Sequence, residues 1–171
     1  MKDERLKGEI LQPSASSLES CPFIVRPMAV EDIGVVTAIE SENPAPWSGG
    51  QLAGELDQEG GWQFVAESRA SGQVCGFVCG RSCVGEGELL KIAVGREHRR
   101  QGAAAQLVAH TLHYLAAQGV ARCFLELRAA NLPALDLYER FGFRRLGVRK
   151  NYYASPPDDA ILMEKKVALV S

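Results

Sequence analysis

A turn of small and basic residues, Arg99 to Ala104, separates an apolar segment from an amphipathic one. The apolar segment Glu88–Val94 predicts a strand, and apolar residues follow the turn at helical spacing: Leu107, Val108, Thr111, Leu112 and Leu115. The first N–H groups of a helix are unpaired and lie at its positive end, so they attract anions. Gly102 lets a ligand approach the backbone, and nearby arginines suit phosphate. The turn therefore predicts a site for a phosphorylated ligand.

The elements that must position this turn alternate between strands and helices. Strands are predicted at 23–27, 62–68, 74–84, 88–94, 123–128, 143–152 and 160–167, and helices at 30–41, 50–58, from the turn to about 118, and at 133–140. This pattern predicts a single α+β domain over residues 22–168, in which about four helices flank a mixed, mostly antiparallel sheet of about seven strands. The polar residues 1–21 predict a flexible extension.

Composition excludes several classes of protein. A chain of 171 residues suggests one domain, and its hydrophobic fraction of 46% can fill a core. The formal net charge of -2 argues against general nucleic-acid binding. No apolar run approaches the ~18 residues that span a membrane, and no secretory signal is evident. We expect a cytoplasmic protein, a monomer or weak dimer, that binds neither nucleic acid nor membranes.

The cysteines offer a second candidate for chemistry. Cys75, Cys79 and Cys83 recur every four residues, a repeat that could indicate a metal or iron–sulfur site. They lie in a predicted strand, where a step of four keeps side chains on one face, so they can pack together as small apolar groups. The spacing is not that of a zinc site. We expect no metal and no disulfide framework.

The phosphate turn matches neither common nucleotide motif. No Gly-Lys-Ser/Thr follows it, which excludes a Walker A loop. The dinucleotide fingerprint G-x-G-x-x-G is absent, and the preceding elements form hairpins rather than a βαβ unit.

Three motifs in the C-terminal half occur in one order: Arg99-Arg-Gln-Gly-Ala-Ala104 after Ile92-Ala-Val94, then Leu125-Glu-Leu-Arg-Ala-Ala-Asn131, then Leu137-Tyr-Glu-Arg-Phe-Gly-Phe143. Together they resemble the GCN5-related N-acetyltransferase (GNAT) superfamily, over about residues 23 to 167. Within it the likeness is greatest to the enzymes that acetylate the N-terminal alanine of ribosomal proteins, and it includes Pro46-Trp47 and Arg149-Lys-Asn-Tyr-Tyr153. One departure is Ala104, where those relatives usually have glycine; we expect binding to survive it.

The resemblance implies acetyl-CoA as cofactor. Its pyrophosphate would lie at the N–H groups of the turn, and its pantetheine arm would pair like a strand with the segment before the turn. Asn131 and Tyr138 would contact the same arm, although Asn131 also suits a helix N-cap. The implied cofactor-binding residues are Ile92, Ala93, Val94, Arg99, Arg100, Gln101, Gly102, Ala103, Ala104, Ala105, Asn131 and Tyr138.

The resemblance also implies roles in acetyl transfer. Periodicity alone favours a solvated strand face for Glu126, but the matching family residue is the general base. Tyr138 by itself suits a core aromatic, and in the family it is the acid near the sulfur. The Val94 N–H would bind the developing oxyanion, and a strand irregularity there would free it. A modest base suffices for an N-terminal amine with a pKa of ~7.7–8.0, against ~10.4 for lysine.

The acceptor side is predicted less sharply. Trp47, Tyr152 and Tyr153 could wall a peptide groove or serve only in packing. The acidic residues Glu42, Asp158 and Asp159 could attract a basic peptide or form a solvated loop, and the basic run Arg144, Arg145, Arg149 and Lys150 indicates an exposed strand face. We expect an Nα-acetyltransferase acting on a protein N-terminus, such as that of a ribosomal small-subunit protein. The alternatives are acetylation of lysine or small amines, and a non-catalytic CoA-binding domain.

Overall fold

The structure, a computed structural model, describes residues 21–168. Its strands are β1 (Phe23–Pro27), β2 (Gly61–Ser68), β3 (Val74–Cys83), β4 (Glu86–Val94), β5 (Arg122–Arg128), β6 (Arg144–Ala154) and β7 (Pro157–Lys166). Its helices are α1 (Ile33–Glu40), α2 (Gly49–Leu56), α3 (Ala103–Ala117) and α4 (Leu132–Arg140). Of the predicted flexible extension, residues 1–20 lie outside the described residues. Cys21 accepts a hydrogen bond from Arg69 Nε at 2.9 Å.

One sheet of seven strands, in the order β1-β2-β3-β4-β5-β7-β6, forms the centre of the described residues. All neighbouring strands are antiparallel except β4 and β5, which run parallel and are connected by α3. A parallel pair needs such a crossover, because a tight turn can only reverse the chain. The predicted α+β domain with a mixed, mostly antiparallel sheet is confirmed.

Apolar side chains pack on both faces of this sheet. One cluster joins the sheet to α3 and α4, and includes Leu107, Leu115, Leu125 and Tyr138. The other joins it to α1 and α2, and includes Val36, Leu52 and Phe77. Successive residues of a strand point to opposite faces. Cys123, Leu125 and Leu127 therefore face α3 and α4, whereas Glu126 faces the side of α1 and α2.

The helix ends follow local chemistry. The Ser48 side chain accepts from Gln51 N at the start of α2, and Asn131 caps α4 by accepting from Ala134 N at 3.2 Å. The helix α3 ends close to the predicted residue 118, and Gly119 follows it in the left-handed region with φ 72°. The first predicted helix instead begins with a 3-10 turn at Val30–Asp32.

Two expectations are wrong. Cys75 and Cys79 lie on opposite faces of the sheet, because a bulge between β2 and β3 leaves Cys75 without a partner on β2. Burial raises the pKa of Cys79 and of Cys123 to about 12, so both pack as inert thiols. The second concerns the last strand, which was predicted to begin at residue 160 but begins at Pro157, paired with Ala154 of β6.

Candidate active site

The parallel strands β4 and β5 separate halfway along their length. They pair from Glu86 with Arg122 as far as Leu89 with Leu125, and no further pairs follow. At this point Leu90 is left without a partner in the ladder between β4 and β3, which bends β4. The second halves of the two strands therefore border an open gap in the sheet.

The backbone of β4 directs groups that do not pair within the sheet toward this gap. Gly95 N donates to Cys75 O at 2.8 Å, which makes these two residues a hydrogen-bonded pair. Hydrogen-bonded pairs alternate with non-hydrogen-bonded pairs along an antiparallel ladder, and Val94 and Ile92 fall in the second kind. Their N–H and C=O groups therefore point away from β3. The Val94 N–H thus faces the gap. The strand irregularity lies at Leu90 and not at Val94. The Val94 N–H has no partner in the sheet because β5 has already separated from β4 at this point.

The turn before α3 has the geometry of an anion site. Arg100 and Gly102 are both in the left-handed region, with φ of 64° and 95°. No side chain caps α3, so the N–H groups of its first turn are left open to a ligand. The positive φ of Arg100, a conformation uncommon for a non-glycine residue, had no signal in the sequence.

Arg99 is engaged with the protein itself. Its Nε donates to Val94 O at 2.9 Å, and its Nη2 lies 2.9 Å from Glu42 Oε2. The same carboxylate oxygen accepts from Arg96 N at 2.9 Å. Arg99 therefore connects the loop after α1 to the end of β4, and no local sequence pattern indicates this role.

Glu126 lies at the edge of the gap, one residue beyond the last β4–β5 pair. Its side chain is 23% exposed, and its Oε1 lies 2.8 Å from Arg149 Nη1. The Arg149 guanidinium also lies over the ring of Tyr152, at 5.5 Å. The predicted exposed face of β6 is confirmed, but Arg149 reaches across β7 to the candidate base.

Tyr138 is buried between α4 and the sheet, where its ring packs edge-on against Phe143 at 5.4 Å. Burial raises the pKa of its hydroxyl well above the usual range. Its cluster lies on the face of β5 opposite to Glu126. The two side chains can therefore act on the same atoms only through the gap between β4 and β5.

The predicted acceptor aromatics fall in two groups. Trp47, in the loop before α2, lies with its ring 5.3 Å from Lys91 Nζ. Tyr152 and Tyr153 end β6 with ring centroids 5.1 Å apart, and the Arg128 guanidinium lies 4.1 Å from the Tyr153 ring. Desolvation by burial raises the pKa of Tyr153.

A groove of about 580 Å³ runs over the sheet on the side of Glu126. Its lining includes Glu88, Phe124, Glu126, Arg149 and Leu162. The groove thus leads away from the gap along the face of the sheet opposite α3 and α4.

The acidic residues proposed to attract a peptide are used internally. Glu42 binds Arg99, and Asp159 binds Lys150 Nζ and Asn151 N, both at 2.8 Å. Asp158 accepts from Ala130 N at 3.1 Å. Asp158 and Asp159 lie in β7 and not in a solvated loop, and the contacts of all three carboxylates stabilise neighbouring segments of the chain.

Over residues 21–168, no cluster of three His, Cys, Asp or Glu side chains could hold a metal ion. Within the same span, no helix is long and apolar enough to cross a membrane.

The separation of β4 from β5 lies beside the uncapped start of α3, and this arrangement suits an extended ligand that carries an anionic group. The family model for the acetyltransferase (GNAT) family matches residues 33–143. The chain therefore belongs to this family and is an N-acetyltransferase.

Particular relatives agree with this assignment. The chain is 32% identical over 126 residues to the [ribosomal protein bS18]-alanine N-acetyltransferase of Escherichia coli K12, covering 72% of this chain and 83% of that protein. The crystal structure of the Escherichia coli ribosomal-protein-S18-alanine N-acetyltransferase matches with a TM-score of 0.79 and 29% identity, covering 87% and 96% of the two chains. Arabidopsis thaliana NAA60 in complex with acetyl-CoA shares the fold, with a TM-score of 0.75 at 18% identity, over 85% and 98%.

Proposed function

We propose that this protein transfers the acetyl group of acetyl-CoA to the N-terminal amine of a protein, with alanine as the first residue and a ribosomal small-subunit protein as the acceptor. The observation that carries the proposal is the gap between β4 and β5, which has Glu126 at one edge and the Val94 N–H at the other. The relatives named as alanine N-acetyltransferases support the acceptor. Such an acceptor would be met in the cytoplasm.

Two features of the chain fit acetyl-CoA. The uncapped start of α3, with Gly102 in the left-handed region, suits a diphosphate. The unpaired edge of β4 at Ile92 and Val94 suits an amide-bearing arm that pairs like a strand. When bound, acetyl-CoA supplies the activated acetyl thioester. The residues proposed to hold it are Ile92, Ala93, Val94, Arg99, Arg100, Gln101, Gly102, Ala103, Ala104, Ala105, Asn131 and Tyr138.

In the proposed mechanism the acceptor amine attacks the acetyl carbonyl directly. Glu126 takes the proton that the amine loses as the C–N bond forms, directly or through a water. The Val94 N–H donates a hydrogen bond to the carbonyl oxygen as negative charge develops there. Tyr138, the proposed acid, donates a hydrogen bond to the sulfur as the C–S bond breaks. Its raised pKa keeps the hydroxyl protonated for that step, and the departing thiolate then takes a proton from water. Trp47, Tyr152 and Tyr153 line the acceptor's path.

The test is acetyl transfer to two sets of short peptides. One set has free N-terminal Ala, Ser, Gly or Met; the other has blocked N-termini and an internal lysine. We expect transfer to free Ala or Ser termini, and a fall in kcat of about 10²–10⁴-fold in Glu126→Gln. Transfer only to the lysine peptides would overturn the acceptor, and acetyl-CoA binding without any transfer would favour a non-catalytic domain.

Glu164→Gln is the matched control. Glu164 lies on β7 opposite Phe124, on the same face of the sheet as Glu126. It makes no ion pair with the residues that the structure describes. Its loss should leave kcat within about twofold, since isolated surface substitutions have small effects.

A further inference from the structure

The end of α1 carries a buried carboxylate with an unusual number of donors. Glu40 is fully buried, and it accepts from Lys91 Nζ at 2.6 Å, Trp47 N at 3.1 Å and Asn43 Nδ2 at 3.0 Å. These donors come from β4 and from the loop between α1 and α2. No motif in the sequence analysis included either Glu40 or Lys91.

This cluster connects the two sides of the candidate site. Lys91 directly precedes Ile92 on β4, the strand proposed to hold the cofactor, and its ammonium also lies 5.3 Å from the Trp47 ring. Trp47 is fixed twice, through its backbone N–H by Glu40 and through its ring by Lys91. Removing one member of a buried ion pair leaves the other charge without compensation, so the arrangement depends on both residues.

We propose that Glu40 and Lys91 are positioning residues for the acceptor: they fix Trp47 and the loop of residues 41–48 against β4 and thereby set the affinity for the acceptor peptide. The proposal rests on the proposed function. The cofactor side should not depend on the pair, because the backbone at Lys91 is held separately, opposite Cys79 in the ladder with β3.

The other end of α1 provides a matched control. Asp32, immediately before α1, is also a buried carboxylate, and it binds Arg26 at 2.7 Å and Ala29 N at 2.8 Å. Both carboxylates thus fix an end of the same helix through a cation from a strand. Only the Glu40 pair touches the loop that carries Trp47.

The experiment compares Lys91→Met, Lys91→Arg and Arg26→Met by steady-state kinetics with an N-terminal alanine peptide, and by the fluorescence of the chain's two tryptophans. In Lys91→Met we expect the KM for the peptide to rise by about tenfold or more, the effect of losing a hydrogen bond to a charged group, with the KM for acetyl-CoA within about twofold. The emission should shift to the red as Trp47 becomes more exposed, since Trp62 is buried. Lys91→Arg should restore most of the peptide affinity.

Arg26→Met should lower the melting temperature while leaving both KM values and the emission unchanged. An equal rise of both KM values in Lys91→Met, or the same kinetic profile in Arg26→Met, would overturn the proposal, because the pair would then be structural only. If Lys91→Met does not fold, Asn43→Ala removes one donor from Glu40 and keeps the ion pair. It should raise the peptide KM alone, and an unchanged peptide KM would count against the proposal.

The fluorescence readout separates this proposal from the function on which it rests. If the unchanged protein acetylates no peptide, the proposed function fails. Even then, comparing the tryptophan emission of Lys91→Met with that of Arg26→Met tests whether Glu40 and Lys91 fix Trp47. Equal spectra would reject that role.

Discussion

The two halves of the candidate cleft are formed by different kinds of groups, backbone in one and side chains in the other. In the proposed cofactor half, most of the groups belong to the backbone: the edge of β4 at Ile92 and Val94, which does not pair with β5, and the open N–H groups at the start of α3. The acceptor half consists of side chains from distant segments, held by ion pairs such as Lys91 with Glu40 and Arg149 with Glu126.

This difference predicts which mutations each half of the cleft can tolerate. Backbone groups retain their chemistry when side chains change, provided that the chain keeps its conformation. A site made of paired side chains loses its shape when one partner changes, because a buried charge is then left alone. We therefore expect mutations to affect cofactor binding through φ and ψ, and acceptor binding through charge.

A change of backbone conformation should have its largest effect on the cofactor half. Gly102 has a φ of 95°, which strains any other residue, and no atom lies within 4 Å of the position where a Cβ would stand. Gly102→Val should thus act through the backbone alone. The strain of a left-handed valine, ~1–2 kcal/mol or more, should distort the turn and raise the Kd for CoA by about tenfold. Isothermal titration with CoA measures this.

Gly119→Val is the control at the other end of α3, where φ is 72° and a Cβ would also meet nothing within 4 Å. It should lower the melting temperature by a similar amount and leave the Kd for CoA unchanged. If the two variants weaken CoA binding equally, the effect is loss of stability and the comparison between the halves fails.

The contrast between local backbone features and side-chain pairs from distant segments also explains which parts of the fold and the site could be predicted from the sequence. Strand and helix periods, Gly102 and Gly119 are local signals, so the sheet, the turn and the long helix were predicted closely. Glu40 and Lys91 stand 51 positions apart, and Glu42 and Arg99 stand 57 apart. Their pairing depends on which strands and helices become neighbours. The bulges at Cys75 and Leu90 likewise depend on pairing between strands, so their consequences for side-chain direction had no local signal.

Tyr138→Phe tests a buried side chain that is proposed to serve the cofactor half. The variant keeps the ring that packs against Phe143 and removes only the hydroxyl. We expect kcat to fall by about two- to tenfold, the range of a single neutral hydrogen bond, with the Kd for CoA unchanged. Because burial raises the pKa of Tyr138, the alkaline limb of the kcat profile up to pH ~10 should have the same shape in both proteins. A limb present only in the unchanged protein would mean that this hydroxyl titrates in the assay range.

Arg149→Met removes a charge from the acceptor half. The ion pair with Glu126 is half exposed on the Arg149 side, so its loss should cost only ~0.2–1 kcal/mol, which lowers kcat/KM for the peptide by a factor of about 1.4 to 5. The Kd for CoA should not change. Arg144→Met, on the same strand, is the control, since Arg144 makes no ion pair with residues 21–168. A weaker CoA affinity in Arg149→Met alone would show that the halves are not independent.

The smallest expected effect is a loss of local stability at low pH. It should be greater in α1, which precedes the acceptor loop, than in α3. The hydrogen bond from Arg26 holds the pKa of Asp32 below its usual range. A carboxyl with a lowered pKa in the folded state adds stability above its unfolded pKa of ~3.9, and this stability is lost as the pH falls through the lower folded value. No such group fixes the start of α3, where no side chain caps the helix. Between pH 6 and pH 3, hydrogen-exchange protection factors should therefore fall more in α1 than in α3, and Asp32→Asn should reduce that difference. An equal fall in both helices would mean that acid acts on the fold as a whole, and that the division between a backbone-built and a charge-built half does not extend to stability.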